Sequence, residues 1–210
     1  MNTKMKIIIA LLTGLVISGV IYANSIVGSK HDLTSTGPNA AWGLAGGICE
    51  FCHVPHNSTV TDAPLWNHAL SGATFTPYAS NTIDVDGGTI GAPAGISQAC
   101  FGCHDGVTNL DDYGAVAGTM VMPAGNGLLG TDLGNDHPIS MTYDPAADTA
   151  LHATTNTFPT TAITVASVLR GAADDQVECS SCHEPHDNVN GKFLRISNAA
   201  SELCRGCHNK

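Results

Sequence analysis

Every cysteine in this 210-residue chain belongs to a pair spaced Cys-x-x-Cys, and each pair is followed at once by histidine. The four runs are Cys49-Glu-Phe-Cys52-His53, Cys100-Phe-Gly-Cys103-His104, Cys179-Ser-Ser-Cys182-His183 and Cys204-Arg-Gly-Cys207-His208. Two thiols one turn apart can add to the two vinyl groups of one porphyrin, and the next residue then brings an imidazole under the iron. Disulfides suit an exported chain but ask for no histidine after each pair. Zinc takes two such pairs per site and again requires no such histidine. The pattern therefore predicts four covalently bound haem c groups, with His53, His104, His183 and His208 as proximal ligands.

The rest of the chain agrees with a fold built on cofactors. It is rich in Gly, Thr, Ala, Asn and Asp and poor in Leu, Phe and charged residues. Such a composition buries too little apolar surface to offset the entropy of ordering the chain. The expected fold is mostly irregular coil with short α-helices wrapped around a stack of four c-type haems, with little β-structure. The best helical periodicity is Ala162 to Ala172, with Ile163, Val165, Val168 and Leu169.

The N-terminus reads as an export signal. Lys4 and Lys6 precede an apolar run from Ile7 to Ile21, and Tyr22-Ala23 offers a small residue for cleavage. The run falls short of the roughly 18 apolar residues expected of a membrane span. Residues 1–23 are thus expected to leave, and no stable membrane anchor remains afterwards. Losing Lys4 and Lys6 takes the formal charge from −10 to −12. A basic nucleic-acid footprint is absent, and an acidic surface favours cationic partners.

Ten histidines are present, so six remain after the proximal four. A duplication organises them. Residues 24–120 hold His31, the first motif, Val54-Pro55-His56 and the second motif. Residues 121–210 hold His137, the third motif, Glu184-Pro185-His186 and the fourth. The first half carries a long Gly/Thr/Pro-rich insert, Ser58 to Ser97, where the second is compact. Each half is expected to carry two haems and to supply two distal ligands: His31 and His56, then His137 and His186. A proline before His56 and before His186 turns the chain out of the motif, so each should serve a neighbouring haem, most simply the next in the chain. His68 and His152 stand outside the pattern, though either could displace His31 or His137.

With these motifs the chain resembles the extracellular multihaem cytochrome filaments, or cytochrome nanowires, of Geobacter-type bacteria, and most closely their tetrahaem member. The Cys-x-x-Cys-His-x-Pro-His extensions at His53 and His183, Pro64-Leu-Trp-Asn and Cys103-His104-Asp105-Gly106 are shared more widely, by doubled-motif cytochromes in general. The resemblance implies bis-histidine irons and subunits stacked head to tail with one continuous haem chain. It also implies that His31 crosses to the His183 iron of the next subunit. His137 would then serve the His53 iron, His56 the His104 iron and His186 the His208 iron.

The function expected is electron carriage outside the cell, at the cell surface or, alternatively, in the periplasm. Partners would be further copies, other redox cytochromes or extracellular acceptors. A monomeric shuttle is the alternative. A multihaem reductase would need an open iron with acid–base groups beside it, and no catalytic motif supplies them. Asp84-Val-Asp86-Gly-Gly resembles part of a calcium loop but lacks the remaining ligands.

Overall fold

A computed structural model describes residues 26–56, 58, 63–125 and 127–209. The export signal expected over residues 1–23 lies outside the described residues. Irregular chain dominates. Four short helices are α1 (Ser97–His104), α2 (Val165–Val168), α3 (Cys179–Cys182) and α4 (Glu202–Cys207). The one sheet among the described residues pairs β1 (Met141–Thr142) antiparallel with β2 (Gln176–Val177), Met141 opposite Val177. Three of the helices are attachment motifs, so the segments that carry cysteines are also the most regular.

The helix expected over Ala162 to Ala172 shrinks to α2. Thr164 caps its start by accepting from the Ser167 amide at 3.3 Å. Leu169 then turns extended, at φ −72° and ψ 159°. Arg170 leaves the helix because it bridges to Gln176. A pair of backbone hydrogen bonds between distant segments outweighs local periodicity here. The acidic turn at Asp86 is likewise structural, since its carboxylate accepts from the Thr142 amide at 2.8 Å.

Apolar side chains gather in two clusters, one in each half. The second-half cluster contains Tyr143, Phe158, Val165, Val168, Leu169, Val177 and Ile196. The first-half cluster has only Leu44, Phe51 and Leu110 fully buried, with Cys52 and Cys103 packed against them. That cluster is small for its share of the chain, and two attachment cysteines lie on its wall.

The duplication extends into backbone geometry. In the first half His53 bridges Trp66, the Val54 amide donates to the Leu65 carbonyl at 2.7 Å, and the Asn67 amide to Cys52 at 2.8 Å. In the second half His183 bridges Leu194, the Glu184 amide donates to Phe193 at 2.7 Å, and the Arg195 amide to Cys182 at 2.9 Å. Leu65 and Phe193 even share a left-handed backbone, both at φ 57°. Such a conformation is uncommon for bulky residues; two copies of it mark one structural unit used twice.

The halves are fastened where α1 meets α3. Glu178 is only 3 % exposed. Its carboxylate accepts from the hydroxyls of Ser97 and, at 3.0 Å, Ser140. Ser97 in turn accepts from the Cys179 amide at 3.0 Å. Replacing Glu178 with Ala strands these buried hydroxyls. Glu178→Ala should therefore cost about 1–3 kcal/mol, read as a lowered midpoint of thermal unfolding with the haem content unchanged.

Candidate haem sites

Each attachment motif closes a single helical turn. The amide of the motif histidine donates to the carbonyl of the first cysteine: His53 to Cys49 at 2.8 Å, His183 to Cys179 at 3.0 Å and His208 to Cys204 at 2.9 Å. The remaining motif lies inside α1. Gly102 and Gly206 hold the same place in the second motif of each half. A Cβ on Gly102 would strike the Ala69 carbonyl, and one on Gly206 would strike the Phe158 ring. The close approach of these neighbours explains glycine at both positions.

The proximal rings are aimed by the backbone. Nδ1 of His53 faces the Pro64 carbonyl at 2.9 Å, that of His104 faces Gly127 at 2.6 Å, and that of His183 faces Lys192 at 2.9 Å. A proton on Nδ1 shared with a carbonyl fixes the tautomer and leaves Nε2 as the metal-binding atom. This arrangement fits haem ligation.

Burial pushes the second thiol of every motif up: Cys52 to about 11, Cys207 to about 12, and Cys103 and Cys182 likewise upward. None of the eight cysteines pairs with another as a disulfide. Among the described residues no three His, Cys, Asp or Glu side chains converge on one cation site, whereas zinc asks for four ligands.

Three of the six other histidines lie beside proximal ones. The rings of His31 and His104 lie 6.2 Å apart, those of His137 and His208 also 6.2 Å, and those of His186 and His53 5.8 Å. Two imidazoles bound to one metal through nitrogens about 2 Å from it have ring centres about 6 Å apart. The spacing suits two axial ligands of one iron. Burial, with the neighbouring His104 adding to it, lowers His31 to about 4, so its ring is neutral at pH 7.

This grouping differs from the one expected. His31 lies beside His104 of its own chain, because its ring stacks face to face on Phe193 at 4.0 Å. His186 lies opposite His53 rather than His208, and His208 faces His137 instead. The antiparallel bridge from His208 to Leu151 turns the fourth motif back toward the start of its own half. His56 is exposed, and its ring makes no hydrogen bond or ring contact among the described residues. His183 is also exposed. His68 is 1 % exposed, with Nδ1 2.9 Å from the Ala69 carbonyl and Nε2 3.3 Å from that of Leu110. The backbone of His152 holds Cys207 and Tyr143, at 2.8 and 2.7 Å.

The motifs also follow one another in space. Cys52 lies close enough to Cys103 to raise its pKa, and Cys182 does the same to Cys207. Between the halves the thiols of Cys100 and Cys179 share a hydrogen bond, which raises Cys100 and lowers Cys179. Each motif thus has the next one in the sequence as a neighbour. Sequence reading missed the match between Pro64–Asn67 and Lys192–Arg195. The carbonyl contacted by the motif histidine lies eleven residues on in one half and nine in the other, and only Leu65 and Phe193 are alike in character.

A family model described as a doubled CXXCH motif matches residues 171–210, which hold the third and fourth motifs and His186. No curated protein matches the chain. The family match and the ligand geometry support a multihaem c-type cytochrome with covalently bound haem c. Two outcomes follow. His31→Ala and His137→Ala should each turn one low-spin iron high-spin or solvent-ligated without loss of attached haem, as read by electron paramagnetic resonance. Gly206→Ala should destabilise the fourth motif by about 1–3 kcal/mol, measured by thermal unfolding.

Proposed function

We propose that this chain is a tetrahaem electron conductor of the cell exterior, and that its subunits join head to tail into a filament with one continuous haem chain. The observation that carries this reading is the succession of neighbouring attachment sites, Cys52 by Cys103, Cys100 by Cys179, and Cys182 by Cys207. Haem iron, when bound, takes up and releases one electron at a time. The polypeptide does the rest. Eight cysteines fix the four porphyrins covalently, His53, His104, His183 and His208 hold one axial position, and backbone carbonyls orient the rings. A second histidine on the same iron excludes substrate, which suits conduction rather than catalysis.

Three irons find that second histidine inside the chain: His31 for His104, His137 for His208 and His186 for His53. The remaining pair is His183 and His56. A chain that supplies His56 to the His183 iron of its neighbour would have every iron filled and every joint held by a metal–ligand bond. His56 thereby takes the crossing role that the family resemblance gives to His31. The acidic surface, at −10 for the full sequence and −12 without Lys4 and Lys6, would favour cationic redox partners.

Pyridine-haemochrome analysis of mature protein should give four haems per chain, and the reduced protein should bind carbon monoxide poorly. His56→Ala should give a folded tetrahaem monomer with one high-spin iron and no filaments by negative-stain microscopy. A wild type that sediments as a monomer at high concentration, with all irons low-spin, would instead make the protein a soluble shuttle.

A further inference from the structure

We infer that the surface formed by Pro55 and the Pro64–Trp66 turn is the docking site for His137 of a second copy of this chain, so that the joint between subunits repeats the joint between the two halves. The inference rests on the head-to-tail reading and adds to it a specific receptor surface.

The argument starts from the equivalence of the two turns. Pro64-Leu65-Trp66 and Lys192-Phe193-Leu194 carry the same bridge to a motif histidine, the same carbonyl facing Nδ1 and the same φ of 57° at the central residue. Pro55 and Pro185 occupy matching places two residues after that histidine. The occupant of the second-half turn is visible. His31 stacks on Phe193 at 4.0 Å with an interplanar angle of 14°. Phe193 is accordingly only 7 % exposed.

The equivalent of His31 in the second half is His137. Each lies 6.2 Å from the histidine of the second motif in its own half, with interplanar angles of 60° and 62°. Yet the environments differ. His31 is partly buried against the other half, whereas His137 is exposed. Conversely Leu65, the counterpart of Phe193, is 50 % exposed, while Pro55 and Pro185 are both exposed. One half offers the bare turn and the other the uncovered ring. They cannot meet within one chain if each half keeps the placement seen here, but they can meet between copies. Such a contact is heterologous and generates an open filament.

The reverse crossing obeys the same rule. His186 passes from the second half to the His53 ring of the first. Its counterpart His56 is exposed, as His186 itself is, but the His56 ring makes no ring contact among the described residues, and His183, the counterpart of His53, is exposed. Both crossings therefore fall at the same joint. One detail differs: Nδ1 of His137 already faces the Pro138 carbonyl at 2.8 Å. The ring thus brings its flat face to the Leu65 turn and needs no hydrogen bond to the Pro55 carbonyl.

The test uses haem-loaded, full mature chain. Leu65→Asn suits the left-handed backbone, where Asn is enriched, so the turn should survive; haem content and thermal unfolding check this. Leu65→Phe copies the second-half turn. By sedimentation and negative-stain microscopy, Leu65→Asn should raise the concentration needed for filaments about tenfold, equivalent to about 1.4 kcal/mol per joint, and Leu65→Phe should lower it. The monomer's His208 iron should stay bis-histidine in both. Wild-type filaments with neither variant shifting assembly would overturn the docking site and leave the polymer intact. A wild type that never assembles would overturn both.

Discussion

The structure depends on a short-range constraint: an imidazole held one residue beyond two sulfurs, with its far nitrogen tied to a backbone carbonyl. A helical turn sets the first relation. The second comes from a distant segment, Pro64 for His53, Gly127 for His104 and Lys192 for His183. The coil between motifs is therefore not filler. Its path is dictated by the need to deliver a carbonyl behind each ligand, and the left-handed residues Leu65 and Phe193 are where the chain turns to do so. Regular secondary structure is scarce because the loops are organised around ligands rather than around one another.

The same constraint explains how a chain with so few large apolar residues holds a fixed shape. In the first half Leu44, Phe51 and Leu110 form a minimal core with two attachment cysteines beside it. A porphyrin attached there would supply apolar area that the side chains lack. The buried Glu178 network then locks the second and third motifs together, where Cys100 and Cys179 touch. Polar fastening at that place leaves the apolar surfaces to the cofactors.

Much of this was legible in the residues. The four motifs and the scarcity of strands follow from spacing and composition alone. What the sequence concealed was three-dimensional. The resemblance sends His31 to the next subunit, whereas its ring stacks on Phe193 of its own chain. The helix expected after Ala162 lost to the Arg170–Gln176 bridge. The likeness of the two turns was hidden because backbone geometry, not side-chain identity, carries it, and because the insert changes the spacing by two residues.

The central claim is that four haems are held by histidine pairs that the fold itself sets in register, with the last pair shared between copies. A cryo-electron-microscopy map of the secreted protein, at a resolution that separates porphyrins from side chains, tests it most directly. The account predicts four porphyrins per chain in the order of their motifs, with His31 opposite His104, His137 opposite His208, His186 opposite His53, and His183 opposite His56 of the adjoining subunit. A map with fewer porphyrins, or with His183 and His56 on separate irons of an isolated chain, would contradict it.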